Sequence, residues 1–138
     1  MNSLFDTIVT KDHLVRKMNN TLDFSFIADD FRAVDKAPDI SPVFIAKYLL
    51  LIYLYRLDRG TRMNITLPEQ IDDQMSDNMA YRLFLGFDIG VRIPGYNEVM
   101  QAKETLGSQE KWDTVLNRLL QQCKKNGLPY KQGGAFDD

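Results

Sequence analysis

The residue types that most often carry catalysis are scarce in this chain. His13 is the only histidine and Cys123 the only cysteine. A catalytic Ser-His or Cys-His pair would have to use His13, which lies in the first turn of a predicted helix with a polar face. We expect a structural or solvated role for His13 and a buried or half-buried thiol at Cys123. A single cysteine also excludes an intramolecular disulfide and a zinc knuckle.

Adjacent carboxylates are the remaining candidates for metal chemistry, and they occur as Asp29-Asp30, Asp72-Asp73 and Asp137-Asp138. Neighbouring residues on a helix point in different directions, so the first two pairs are expected to be solvated faces. The third pair lies in a predicted flexible tail. The sequence contains no Gly-rich phosphate-binding loop. We therefore expect no catalytic residue, no metal, no cofactor and no small-molecule substrate.

Basic side chains point to a different ligand, because phosphate contacts dominate the affinity of proteins for DNA. The chain has a net charge of −2, and between residues 58 and 106 eight acids and five bases give −3. A DNA-binding face would have to keep these acids away from the phosphates. The candidate phosphate contacts are the five bases of this segment, Arg59, Arg62, Arg82, Arg92 and Lys103. The alternative is that they are scattered solubilising charges.

These side chains must be positioned by a single domain, since 138 residues with 44% hydrophobic and 26% charged residues are ordinary for one globular unit. Residues 1–12 lack the basic region and long apolar core of a signal peptide, which leads us to expect a cytoplasmic protein.

The most apolar stretch lies at residues 42–57 and predicts a central buried helix. Ser41 is a suitable N-cap and Pro42 suits the first helical position. The competing interpretation is a membrane span. Lys47 and Arg56 enclose an uncharged run of only eight residues, however, whereas a span needs roughly 20. We therefore expect other helices to surround this one from several directions.

Amphipathic or capped segments predict further helices at 13–18, 23–34, 67–75, 77–86 and 96–106, and a last one between residues 108 and 127. The expected N-caps are Thr10 or Asp12, Thr66 in a capping box with Glu69, Asp77 and Ser108. Segments 67–75 and 77–86, or 77–86 and 96–106, could form a helix-turn-helix. The predicted fold is a compact all-α domain over residues 1–127, followed by a flexible tail at 128–138.

Four blocks in this order carry a family resemblance: D-H-L-V-R-K-M at 12–18, L-D-F-S-F-I at 22–27, I-S-P-V at 40–43 and D-N-M-A-Y-R-L-F-L-G-F at 77–87. They resemble the N-terminal domain of bacterial insertion-sequence transposases of the DDE class, over roughly residues 10–125. The resemblance implies a helical domain that binds transposon-end DNA or helps to assemble the transposase, ahead of a catalytic core with an RNase H-like fold.

Two departures from that family affect the expected function. Asp137 stands near the place of the family's first catalytic aspartate, but two metal ions need several converging carboxylates, so we expect no strand cleavage from this chain alone. The helix after the I-P loop usually carries polar and basic residues in the family. Here it carries Glu98 and Glu104 beside Lys103.

The leading hypothesis is therefore a non-catalytic, transposase-like binding domain that contacts duplex DNA, such as transposon ends, or assists transposase assembly. One alternative is a protein-interaction regulator, a recruited transposase fragment that acts on a transposase, a host protein or a mobile-element defence protein, or that forms a homodimer. Another alternative is a gene fragment without a selected function.

Overall fold

The computed structural model describes residues 9–10, 13–31, 40–60 and 64–128. Within these ranges the chain forms seven α-helices and no strand, which confirms the all-α prediction. In chain order the helices are α1 (Leu14–Thr21), α2 (Ser25–Asp30), α3 (Pro42–Tyr55), α4 (Leu67–Asp77), α5 (Met79–Leu85), α6 (Tyr96–Leu106) and α7 (Gln109–Lys125).

Helix α3 lies at the centre of the fold, as its composition predicts. The Ser41 hydroxyl accepts a hydrogen bond from the Phe44 N–H at 3.1 Å, and Pro42 occupies the first turn. Helices α2, α5, α6 and α7 all pack against α3. Leu50, Leu51 and other inward residues are completely buried. Enclosure of an almost wholly apolar helix therefore organises the rest of the domain.

The end of α3 differs from the predicted boundary at residue 57. Arg56 adopts a left-handed conformation (φ 52°, ψ 47°), and the Leu57 N–H donates to the Ile52 carbonyl at 3.1 Å. This conformation ends the helix at Tyr55, because a residue with positive φ cannot continue a right-handed helix. The chain turns sharply here and brings Arg56, Asp58 and Arg59 to the surface, while Leu57 stays buried in the core.

Two predicted N-caps were wrong by a few residues. Helix α1 is capped by His13, whose Nδ1 accepts from the Val15 N–H at 3.1 Å, rather than by Thr10 or Asp12. Helix α5 is capped by Asn78, whose Oδ1 accepts from the Tyr81 N–H at 3.1 Å. Asp77, the predicted cap, is the last residue of α4. An amide oxygen caps a helix as well as a carboxylate does, so sequence alone could not separate the two neighbours.

Some of the other predicted boundaries are confirmed, whereas α1 continues to Thr21 instead of ending at residue 18, α2 begins at Ser25 instead of residue 23, and α4 continues to Asp77 instead of ending at residue 75. The Thr66–Glu69 capping box opens α4, and Ser108 caps α7 through the Lys111 N–H. Gly86 ends α5 with φ 84°, a conformation that glycine adopts without steric cost. Helix α2 ends at Asp30, earlier than predicted, and residues 32–34 of that prediction lie outside the described ranges.

The remaining contacts close one core around α3. Helix α1 packs on α5, and α4 packs on both α5 and α6. The α4–α5 connection is the single residue Asn78, whereas residues 86–95 connect α5 to α6. Helix-turn-helix motifs join their helices through turns of roughly 3–4 residues, and neither connection has that length. The structure therefore does not confirm the predicted helix-turn-helix. None of the described helices has the length and apolar character needed to cross a membrane.

Leu128, assigned to the tail from sequence, is buried, and its N–H donates to the Cys123 carbonyl at 2.9 Å. The helical packing thus extends one residue past the predicted boundary at 127. The rest of the predicted tail, residues 129–138, lies outside the described part of the chain.

The hydroxyl of Tyr48 is buried and has no hydrogen-bond partner among the described residues. Burial, with smaller effects of the Asp72 charge and of Tyr96, raises the pKa of Tyr48 and keeps the hydroxyl protonated. Leaving a buried polar group unpaired costs free energy, so this hydroxyl is expected to lower the stability of the folded state.

We expect Tyr48→Phe to raise the free energy of unfolding by about 1 kcal/mol, because it removes a desolvated and unpaired hydroxyl. Urea denaturation measures the change. Tyr53→Phe, at an exposed position of the same helix, is the control and should change stability by less than about 0.5 kcal/mol. A less stable Tyr48→Phe variant would show that the hydroxyl does have a partner.

Candidate nucleic-acid interface

A cleft with a volume of about 190 Å³ opens between the C-terminal half of α3 and the N-terminal half of α7. We call it the α3–α7 cleft. Its lining residues are Leu49, Ile52, Tyr53, Arg56, Asp58, Arg59, Lys103, Gln109, Trp112, Asp113 and Leu116.

Helical spacing explains the α3 wall of the cleft. Leu49, Ile52, Tyr53 and Arg56 stand at i, i+3, i+4 and i+7, so they share one face of the helix. This face is the part of α3 that its neighbours leave partly uncovered, since Leu49 and Ile52 are half-buried and Tyr53 is exposed. The cleft therefore has apolar walls near its base and a charged rim where α3 ends.

The base of the cleft is fixed by Trp112. Its indole Nε1 donates to the Lys103 carbonyl at 2.8 Å, and its ring stacks on Phe31 with centroids 4.6 Å apart. Gly107 permits this approach, because a Cβ there would lie 3.2 Å from the Phe31 ring and 3.2 Å from Lys111 Cδ. The contact joins the end of α6 to α7 and brings Lys103 to the rim.

Helix α4 fixes the turn that carries Arg59. The buried side chain of Gln70 donates from Nε2 to the carbonyls of Leu57 and Arg59, at 2.9 and 3.0 Å. The Nε2 of Gln74, one helical turn later, also donates to the Leu57 carbonyl at 2.9 Å. These two glutamines satisfy carbonyls that the end of α3 leaves without helical partners. They hold the backbone of residues 57–59 against α4.

Charge at the rim is positive, in contrast to the surrounding segment. Arg56, Arg59 and Lys103 face Asp58 and Asp113, which leaves a net charge of +1. The Arg59 side chain is 74% exposed and its Nε lies 3.8 Å from Asp58 Oδ1, a contact that water screens. The cleft thus combines cations with an apolar, partly aromatic wall.

The polar side of the rim is a short hydrogen-bonded chain. The Lys103 ammonium donates to Gln109 Oε1, and Gln109 Nε2 donates to Asp113 Oδ1 at 2.8 Å. These bonds orient Lys103 towards the start of α7.

A family model described as Transposase domain (DUF772) matches residues 3–103 of the chain. This chain belongs to that transposase-domain family. The search of curated proteins and the search of solved structures found no match. The matched range contains α3, the turn with Arg56 and Arg59, and Lys103 as its last residue, whereas α7 lies beyond it.

The structure of this transposase domain brings two of the five predicted phosphate contacts together. Arg59 and Lys103 line the same cleft although they are far apart in sequence. Arg56 also lines this cleft. It was not among the five predicted phosphate contacts, because in the sequence it is only the charge that ends the apolar run. Arg62 lies outside the described residues.

Arg82 has a different role, and we correct its prediction as a phosphate contact. Its side chain is buried, 7% exposed. The guanidinium donates to the carbonyls of Ser76 at 2.6 Å, Asp88 at 2.8 Å and Val91 at 2.8 Å. These three bonds hold the end of α4 and the 88–91 turn against α5. A residue committed to three backbone carbonyls cannot also reach a phosphate.

Arg92 lies apart from the cleft. Its guanidinium pairs with the Glu98 carboxylate in the first turn of α6, while Lys103 is in the last turn of that helix. The hydrogen bond to Glu98 raises the pKa of Arg92, and the hydrogen bond from Arg92 lowers the pKa of Glu98. Helix α6 has 11 residues and is therefore about 16 Å long. Arg92 is thus outside the cluster formed by Arg59 and Lys103.

Three side chains of the types that carry catalysis or bind metals, His13, Cys123 and Asp72, cap helices or lie in the core. His13 caps α1, and burial raises the pKa of the Cys123 thiol to about 11. Asp72 Oδ1 accepts from the Tyr96 N–H at 2.7 Å and so caps α6 from a different helix. Within residues 9–10, 13–31, 40–60 and 64–128, no three His, Cys, Asp or Glu side chains form a group that could hold a metal ion. Asp137 and Asp138 lie outside these ranges.

We expect Arg82→Ala to lower the free energy of unfolding by roughly 2–4 kcal/mol, because it removes a buried guanidinium that donates to three backbone carbonyls. Arg82→Lys should recover only part of the loss, since one ammonium cannot reproduce the planar fork of donors. Urea denaturation of both variants tests the assignment.

The matched control for Arg82 is Arg92→Ala, which removes an exposed guanidinium and should destabilise the fold much less than Arg82→Ala does, because water screens its ion pair. Equal stability of the Arg82→Ala variant and the wild type would contradict the structural role of Arg82.

Proposed function

We propose that this transposase-family domain is a non-catalytic, cytoplasmic protein that contacts DNA through the rim of the α3–α7 cleft. The observation that supports the proposal is the convergence of Arg56, Arg59 and Lys103 at one cleft, although residues 58–106 carry a net charge of −3. A DNA-binding surface needs cations in excess where it meets the phosphates, and here three cations outnumber the two acids of the cleft, Asp58 and Asp113.

Most acids of residues 58–106 are indeed placed away from this rim. Asp72 and Glu98 are engaged at the start of α6. Asp73 and Asp77 line a separate open depression beside Asn78. Of the eight acids in that segment, only Asp58 lines the cleft. The net charge of −3 over residues 58–106 therefore opposes phosphate binding at the cleft less than the sequence alone suggests.

The number of rim cations sets the expected salt dependence. Two or three phosphate contacts give a slope of log K against log salt of roughly −2 to −3. Between about 50 and 200 mM salt, duplex affinity should therefore fall by roughly 10- to 40-fold. Fluorescence anisotropy with a labelled duplex measures both quantities. Absence of binding at low salt, or binding that salt does not weaken, would contradict the proposal.

The double variant Arg59→Ala/Lys103→Ala should reduce the magnitude of the salt slope by about 2, because each lost cation removes about one released counterion. Lys124→Ala/Lys125→Ala is the matched control. It removes the same charge from exposed positions at the far end of α7, a helix of 17 residues. Equal losses in the two double variants would mean that binding is diffuse and does not use the cleft.

The non-catalytic part of the proposal predicts that the purified chain leaves supercoiled plasmid intact in the presence of Mg²⁺ or Mn²⁺. Metal-dependent strand cleavage needs several converging carboxylates. A gel assay for nicked plasmid tests this. Nicking that depends on metal and persists through purification would contradict a purely binding role.

A protein-interaction role, including transposase assembly, is the second candidate. It is favoured by the apolar walls of the same cleft, where Leu49, Ile52 and Leu116 are only half-buried. Desolvated apolar pockets with a charged rim are typical of protein interfaces. Sedimentation of the wild type and of Leu116→Glu separates the two roles. A dimer or stoichiometric partner that the variant loses would favour the protein interface over DNA.

A further inference from the structure

The α3–α7 cleft has an exposed aromatic ring, Tyr53, that contact with duplex phosphates would not use. Tyr53 is 38% exposed and, apart from Val91, is the only exposed large hydrophobic residue in the described part of the chain. Val91 lies outside the cleft, whereas Tyr53 lines it beside Arg56 and Arg59.

Several other aromatic rings of the domain are packed against one another. Phe31 stacks on Trp112, and Tyr55 lies against Tyr81 with centroids 5.1 Å apart. Tyr53 has no ring partner among the described residues. Its exposed ring borders a cleft that Leu49, Ile52 and Leu116 also line below the charged rim, so the cleft can accept a flat apolar surface against Tyr53.

A nucleotide has the matching chemistry, since it presents a flat base that stacks on aromatic rings and a phosphate that pairs with cations. The cleft volume of about 190 Å³ is below the roughly 300–1,000 Å³ of sites for drug-sized ligands, which suits one ring system. Bases of an intact duplex are stacked on each other and cannot enter such a cleft. Only an unpaired nucleotide can offer both groups.

We propose that the α3–α7 cleft binds an unpaired nucleotide of DNA, with its base stacked on Tyr53 and a neighbouring phosphate contacted by Arg59 and Lys103. This inference rests on the proposed DNA contact and names the form of DNA that the cleft recognises. Leu49 and Leu116 exclude water from the base, while the rim cations compensate the phosphate charge. Recognition of this kind tolerates different bases, because every base has a π-face.

The test compares three oligonucleotides of equal length: a perfect duplex, the same duplex with one unpaired nucleotide, and a single strand. The wild type should bind the second and third more tightly than the first. Tyr53→Ala should weaken binding to these two by roughly 5- to 100-fold, as loss of base–aromatic stacking does. It should change duplex affinity by less than about 2-fold. Tyr53→Phe keeps the ring and should retain the preference.

A second measurement uses 2-aminopurine at the unpaired position, whose fluorescence is quenched by stacking. The wild type and Tyr53→Phe should quench it, and Tyr53→Ala should not. Thermal unfolding of each variant confirms that the exposed position leaves the fold intact.

Each result separates this inference from the proposed function. Salt-dependent duplex binding without a preference for the unpaired nucleotide, or without an effect of Tyr53→Ala, overturns the nucleotide inference and leaves the DNA contact standing. Absence of salt-dependent binding to all three oligonucleotides overturns both and favours a protein partner.

Discussion

Enclosure of one apolar helix is the constraint on which the rest of this structure depends. Helix α3 is apolar on nearly every side, so no single neighbour can remove it from water, and four helices pack around it. One face of its C-terminal half is left partly exposed, because these neighbours do not cover it. There the left-handed Arg56 stops the helix and turns the chain to the surface. The requirement that buries the core thus also places a partly apolar face and a cationic turn beside α7.

Buried and half-buried polar side chains then hold the turns that follow the helices. Gln70 and Gln74 bind the carbonyls of the turn after α3, and Arg82 binds carbonyls at the end of α4 and in the turn after α5. Trp112 does the same for the end of α6. Each of these side chains donates to backbone carbonyls that would otherwise lack a partner inside the protein, and an unpaired carbonyl away from water costs free energy. The exposed cations are positioned by this inner layer of hydrogen bonds.

Local features of the fold were predictable from sequence, because caps and helical periodicity depend on neighbouring residues. Ser41, Thr66 and Ser108 cap the helices that they were expected to cap. The site was only partly predictable, since it depends on tertiary contacts. Arg82 and Arg59 are both arginines in an acidic segment, and only the fold shows that one is buried and the other exposed. Residues such as Gln70 give no pattern that marks their partners, and the uniformly apolar sequence of α3 did not show which of its faces would stay partly uncovered.

Amide chemical-shift mapping tests most directly the proposal that DNA is contacted at the end of α3 and the start of α7. Titration of the ¹⁵N-labelled chain with DNA containing one unpaired nucleotide should perturb amides of residues 49–59, 103 and 109–116. The acidic depression around Asp73 and Asp77 should remain unperturbed. Perturbations centred on that depression or on Arg92, or no perturbation at low salt, would contradict DNA contact at the α3–α7 cleft.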